Sequence, residues 1–214
     1  MLKYAIVDIE TTGGFASGNG ITEISILIHD GSKVIDSFET LINPQQDIPI
    51  YIQTLTGISD EMVSRAPLFA EVAPKIYELL NDKIFVAHNV NFDFSFVRHQ
   101  LAQSGFTLES KKLCTVRMSR KIIPGLASYS LGKLCAALHI PLNDRHRAGG
   151  DAAATALLLE LLLEKDTTGA IPLSLLKTSK EQVLPPNLSK DSIDALPAHP
   201  GVYYFKDQKG KIIY

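Results

Sequence analysis

The sequence predicts an α/β domain in which a mixed sheet is covered by helices, and three observations carry that expectation. Residues 4 to 8 form a continuous β-favouring apolar run that ends on a carboxylate. Two further strand-like segments, Ile21–His29 and residues 33 to 42, flank the turn His29-Asp30-Gly31-Ser32. From Ser59 onward the apolar spacing turns helical, and helical stretches then alternate with short apolar ones.

The elements follow in order. The first three strands are expected to pair as an antiparallel meander. Ser59-Asp60-Glu61 carries helix-start chemistry, and Phe69, Val72, Ala73, Ile76, Leu79 and Leu80 share one helical face. Residues 84 to 87 read as a short buried strand, and a helix is expected from about residue 93 to residue 103, closed by Gly105. A strand over residues 113 to 116, a helix over 130 to 139, a polar loop over 141 to 149 and an Ala- and Leu-faced helix over 152 to 164 complete the pattern. After Lys165 the chain becomes rich in Thr, Ser, Lys and Pro, so a first domain of residues 1 to 165 is expected, with a linker or peripheral segment over 166 to 196.

Composition narrows the class. With 45% hydrophobic and 21% charged residues in 214, the chain is an ordinary globular one, which excludes disorder and collagen. No apolar run approaches the ~18 residues of a membrane span, and charges interrupt the first ten residues, so no membrane association and a cytoplasmic protein are expected. Cys114 and Cys135 are the only cysteines and read as buried reduced thiols. The net charge of -2 conceals an asymmetry: residues 1 to 97 sum to -8, and residues 98 to 147 to +7. An acidic site beside a phosphate-tracking basic surface fits that split; so do scattered solubilising charges.

Asp8 and Glu10, two apart on a strand, point to the same face. Two carboxylates there repel unless a cation or proton intervenes, and Thr11-Thr12-Gly13-Gly14 turns the backbone away immediately after them. Ends of central strands are where α/β sheets place their sites. Asp93 follows the strand over residues 84 to 87, Asp151 opens the Ala and Leu helix, and His146 precedes it by five positions. Taken singly, each has an unremarkable explanation as a helix-start acid or a loop histidine. Together the four carboxylates offer oxygen ligands for two hard divalent cations, Mg²⁺ or Mn²⁺. Two such ions clamp the attacking water and the leaving 3′ oxygen of a phosphodiester, and a histidine can take the water's proton.

The strings Asp8-Ile9-Glu10-Thr11-Thr12-Gly13, His88-Asn89-Val90-Asn91-Phe92-Asp93 and His146-Arg147-Ala148-Gly149-Gly150-Asp151 resemble the three exonuclease motifs of the DnaQ-like (DEDDh) 3′-to-5′ exonucleases, the family that includes the proofreading epsilon subunit of bacterial DNA polymerase III. The resemblance spans about residues 3 to 165. It implies a ribonuclease H-like fold with a mixed five-stranded sheet, Asp8, Glu10, Asp93 and Asp151 as metal ligands, and His146 as general base. It also implies that Thr11, Thr12 and Gly13 contact the terminal nucleotide, where a plain turn is the alternative. Phe92, with Phe96, offers a face for base stacking or for core packing; His88 and Asn89 orient the site from the strand end or form a structural pair.

The implied activity is hydrolysis of single-stranded DNA from its 3′ end to nucleoside 5′-monophosphates, in repair or proofreading and beside DNA polymerase or repair proteins. The same chemistry on RNA is the near alternative, and a catalytically silent nucleic-acid-binding or polymerase-associated module is the alternative of another class. The tail over residues 197 to 214 reads as two strands joined through Asp207, Gln208 and Lys209. It resembles the start of a UvrC-type GIY-YIG nuclease domain, with Gly201-Val202-Tyr203 as the first tripeptide and Tyr214 opening the second. The expectation is a fragment of a longer exonuclease and endonuclease fusion.

Overall fold

The computed structural model describes residues 2 to 176 and, from the tail, residues 202, 204, 206, 207 and 210 to 212. Five strands form one mixed sheet: β1 (Tyr4–Thr11), β2 (Ile21–His29), β3 (Val34–Leu41), β4 (Ile84–Ala87) and β5 (Lys112–Cys114), in the order β3-β2-β1-β4-β5. β1 to β3 are antiparallel, whereas β4 and β5 run parallel to β1, so the strand with the first two carboxylates is central. Its neighbour β4 pairs only as far as Ile6, and the carboxylate end of β1 therefore projects beyond β4.

Alternation sorts β1 between two cores. Ala5, Val7 and Ile9 face the helices α3 (Phe69–Leu80) and α4 (Val90–Gln103). Tyr4 and Ile6 face the long helix α7 (Ala148–Lys165) with Leu158, Leu159 and Leu162. Asp8 and Glu10 continue the second face, where the apolar cover ends.

The helices depart from expectation in instructive ways. Residues 59 to 80 are not continuous: α2 (Asp60–Val63) is one turn capped by Ser59, and α3 begins after Pro67, which disfavours helical backbone at the residue before it. An unforeseen helix, α1 (Ile50–Thr56), opens at Pro49 and closes on Gly57 at φ 72°. The strand expected over 113 to 116 stops at Cys114, and α5 (Thr115–Ile122) begins at once; α6 spans Leu131–Leu138. The loop expected up to residue 149 ends earlier, because α7 already starts at Ala148.

The segment expected as linker or peripheral, residues 166 to 196, opens with a helix. Asp166 accepts the N–H groups of Ala170 and Ile171 and so starts α8 (Ala170–Leu176), whose Ile171 and Leu175 are buried in the second core. Burial at about 1.5 to 3 kcal/mol per large aliphatic side chain holds a seven-residue helix that would not persist alone. The compact unit runs Met1–Lys177, and Thr178–Tyr214 forms a second. In that second unit Lys206 and Ile212 make an antiparallel bridge around a turn in which Asp207 Oδ1 accepts the Lys211 N–H at 2.9 Å. Gly201, Tyr203 and Tyr214, like residues 178 to 200, lie outside the described residues. Among the described residues no helix is long and apolar enough to cross a membrane, and both cysteines are buried free thiols.

Candidate active site

β1 carries Asp8 and Glu10 to its projecting end, and the first turn of α7 brings Asp151 over them. One oxygen from each of these three carboxylates lies within 4.8 Å of the others. Asp93, in the first turn of α4, is 4% exposed and close enough to raise the Asp8 pKa, but it stands outside that tight trio. The four acids singled out by spacing thus gather as three plus a buried fourth.

Burial and mutual repulsion make these acids reluctant to ionise. Asp8 is held well above the usual carboxylate range by desolvation first, then by the charges of Asp93, Asp151 and Glu10. Glu10 is pushed up to about 8 by burial and by Asp151 and Glu23. Asp93 is raised to about 8 by burial, partly offset by hydrogen bonds from the Ile9 and Asp93 backbone. Asp151 is raised as well, by desolvation.

The donor set fits divalent cations. Asp151 divides its two oxygens: Oδ2 accepts the His146 backbone N–H at 3.4 Å, while Oδ1 is buried with no hydrogen-bond partner. A buried carboxylate oxygen without a donor, in a cluster of acids, is costly unless a proton or a cation completes it. Asp8, Glu10, Asp151 and Asp93 would hold such ions, which would supply charge neutralisation for an attacking and a leaving oxygen.

His146 lies half-buried in the loop before α7 with φ 62°, and Asp144 in the same loop has φ 49°; both are left-handed values uncommon for residues other than glycine. The loop is held by a residue that spacing did not single out. Glu23 on β2 pairs in register with Glu10, so it shares the face of the acids, and it is 1% exposed. Its carboxylate accepts Arg147 Nε at 3.0 and 3.2 Å, the guanidinium Nη2, and the Ala148 N–H at 2.8 Å. The signal in the sequence was a lone charge among Ile21, Thr22, Ile24, Ser25 and Ile26; its partner, 124 positions away, left none.

The remaining candidates take varied places. Thr12 is buried and locks the following loop: its N–H donates to the Gly20 carbonyl at 3.0 Å and its Oγ1 accepts the Gly20 N–H at 3.0 Å. Thr11 Oγ1 donates to the Gly13 carbonyl at 2.8 Å, and a Cβ on Gly13 would meet Asn19 Oδ1 at 2.2 Å. His88 spends both ring nitrogens internally, on Thr115 Oγ1 at 2.9 Å and the Tyr129 carbonyl at 3.0 Å, and burial lowers its pKa. Asn89 is exposed and takes the left-handed N-cap position of α4 at φ 78°. Phe92 is half-buried against the fully buried Phe96, ring centres 5.1 Å apart. Of the basic stretch, Arg147 is spent on Glu23 and Lys112 on Asn91 and the Phe94 ring, whereas Arg98, Lys111, Lys121 and Lys133 are exposed.

Comparison with known proteins identifies the family. The chain is 37% identical over 165 residues to a Bacillus subtilis protein named 3′-5′ exonuclease DinG, an alignment covering 76% of this chain and 18% of the relative. It is 35% identical to a Mycobacterium tuberculosis protein provisionally named bifunctional exonuclease/endonuclease protein MT2247, over 99% of this chain and 34% of that one. It thus spans about a fifth to a third of the length of these relatives. Among solved structures, Exonuclease X in complex with 5′ overhanging duplex DNA superposes with a TM-score of 0.64 at 27% identity, covering 82% of this chain and 97% of that one. The mixed five-stranded sheet with flanking helices is the ribonuclease H-like exonuclease fold. The RNase T-type family model described as Exonuclease matches residues 5–159, a span that holds the whole acid cluster, and the chain therefore belongs to that family of hydrolytic nucleases.

Proposed function

We propose that the domain removes nucleotides from the 3′ end of single-stranded DNA and releases nucleoside 5′-monophosphates, with two divalent cations, Mg²⁺ or Mn²⁺, as cofactors. The observation that carries this reading is the convergence of Asp8, Glu10 and Asp151 within 4.8 Å, with Asp93 buried beside Asp8. In this scheme the four carboxylates are ligands. His146 takes the proton of the attacking water, and the segment around Thr11, Thr12 and Gly13 borders the terminal nucleotide. The Thr11 and Thr12 hydroxyls are engaged within the loop, so their part is to shape it rather than to grip the substrate. The exposed Arg98, Lys111, Lys121 and Lys133 supply phosphate-tracking charge.

Digestion of 5′-labelled DNA and RNA oligonucleotides, with and without Mg²⁺ or Mn²⁺, tests the reading. The expected result is a metal-dependent ladder shortening from the 3′ end, faster on DNA. A ladder only on RNA would move the substrate assignment to the RNA alternative. Absence of cleavage on either polymer, with retained binding, would favour the silent nucleic-acid-binding module.

A second reading concerns the tail. We infer that residues 197 to 214 open a GIY-YIG-like nuclease domain in a longer repair protein. The Mycobacterium tuberculosis relative supports this, since it matches 99% of this chain and is about three times as long. The complete reading frame decides: a Gly two positions after Tyr214 and further domain-length sequence are expected, and their absence would overturn the inference.

A further inference from the structure

Glu23 is a fifth carboxylate beside the acid cluster, close enough to raise the pKa of Asp8 and Glu10, yet it is not one of the clustered trio. Its oxygens are committed elsewhere, to Arg147 and to the Ala148 N–H. That commitment has a structural origin. The N-cap position of α7 is Arg147, a residue that cannot cap a helix with its side chain, and no side-chain cap is present. Glu23 stands in for the missing cap from a neighbouring strand, placing negative charge where free N–H groups and the helix dipole favour it.

The segment so anchored contains His146 at its start and Asp151 at its end, separated by five positions. It is also tightly fitted. A Cβ on Gly150 would meet the Asn143 carbonyl at 2.1 Å, and one on Gly149 would meet Glu39 Oε2 at 2.4 Å. Two residues of the loop hold left-handed backbone, a conformation that persists only where the surroundings over-determine it. Glu23 anchors the two residues that follow, through the Arg147 fork and the Ala148 N–H, from a strand position in register with Glu10.

We propose that Glu23 is a positioning residue for the exonuclease reaction: through Arg147 and the Ala148 N–H it ties the His146 loop and the first turn of α7 to β2, and so fixes His146 and Asp151 relative to Asp8 and Glu10. The role rests on the exonuclease reading above. It differs from plain stabilisation because the tie ends on the residue after His146, and a shift of about 1 Å at a reacting group costs on the order of 10²-fold in rate.

Two variants test it. Glu23→Gln keeps size and one acceptor but loses the charged two-oxygen fork. Glu23→Met with Arg147→Met removes both charges together, so that no orphaned charge unfolds the domain. In each, kcat on 5′-labelled single-stranded DNA is expected to fall about 10²-fold with KM little changed and melting temperature close to wild type. Amide exchange over residues 146 to 151 is expected to accelerate. A folded variant with wild-type kcat and wild-type exchange would overturn the proposal and leave the exonuclease reading standing. If the wild-type protein shows no metal-dependent turnover, the exonuclease reading fails on that result alone. The exchange measurement then still decides whether Glu23 holds the loop.

Discussion

Asp8→Ala and Asp151→Ala are each expected to bring turnover to background while the domain stays folded. Losing either acid removes one of the three oxygens that lie within 4.8 Å of one another, and in the proposed two-ion scheme that oxygen is a metal ligand. Stability should move the other way. In the metal-free protein these carboxyls have folded pKa values raised above their unfolded ones, about 8 for Glu10 and for Asp93. The folded state therefore binds more protons than the unfolded one between about pH 4 and pH 8. Stability from this source is complete below the ordinary carboxylate pKa and is lost as pH rises toward 8. Metal-free melting temperature should fall across that window, and Mg²⁺ should restore it at the alkaline end. Asp8→Asn, which mimics the protonated acid, should raise the metal-free melting temperature at pH 8 by about 2 to 4 °C for each kcal/mol recovered. It should do little at pH 4. Full nuclease activity in either alanine variant would sink the metal-ligand assignment. A metal-free melting temperature that rises between pH 4 and pH 8 would contradict the electrostatic account.

The sheet and the acid set were legible because each rests on local pattern. Strand alternation places Asp8 and Glu10 on one face, and an apolar run followed by Thr11-Thr12-Gly13-Gly14 marks a buried strand ending at a site. What was not legible depends on pairs distant in sequence. The start of α7 lacks a capping residue of its own, and its cap is Glu23, 125 positions before Ala148; the polar string over residues 141 to 149 therefore reads as loop through to Gly149. α8 hides in a Ser, Thr and Pro-rich stretch because it is held by burial of Ile171 and Leu175 rather than by periodicity. α1 did carry a local signal, Pro49 before it and Gly57 after it, but its exposed Ile50, Tyr51 and Leu55 blur the amphipathic pattern. The internal hydrogen bonds of Thr12 and His88, to Gly20, Thr115 and Tyr129, likewise join positions whose pairing leaves no local pattern.

His146→Ala is expected to slow hydrolysis by roughly 10²- to 10⁴-fold, the span for losing a general acid or base, with metal affinity nearly unchanged. The geometry separates the two effects. The loop reaches Asp151 Oδ2 through the His146 backbone N–H, which alanine retains, and the imidazole is not a member of the clustered carboxylate trio. Arg147 and Glu23 still anchor the next residue, so the loop should keep its course in the variant. Alanine also keeps a side chain at φ 62°, so backbone strain is little altered and the rate loss reports the missing imidazole. Isothermal titration of Mn²⁺ into the two proteins, beside single-turnover rates, measures both quantities. Metal affinity that falls in step with the rate would make His146 a ligand rather than a base. An unchanged rate would return the proton to water or to another group. Partial recovery of the variant by added imidazole, with no recovery in Asp151→Ala, would place the missing proton acceptor at position 146 itself.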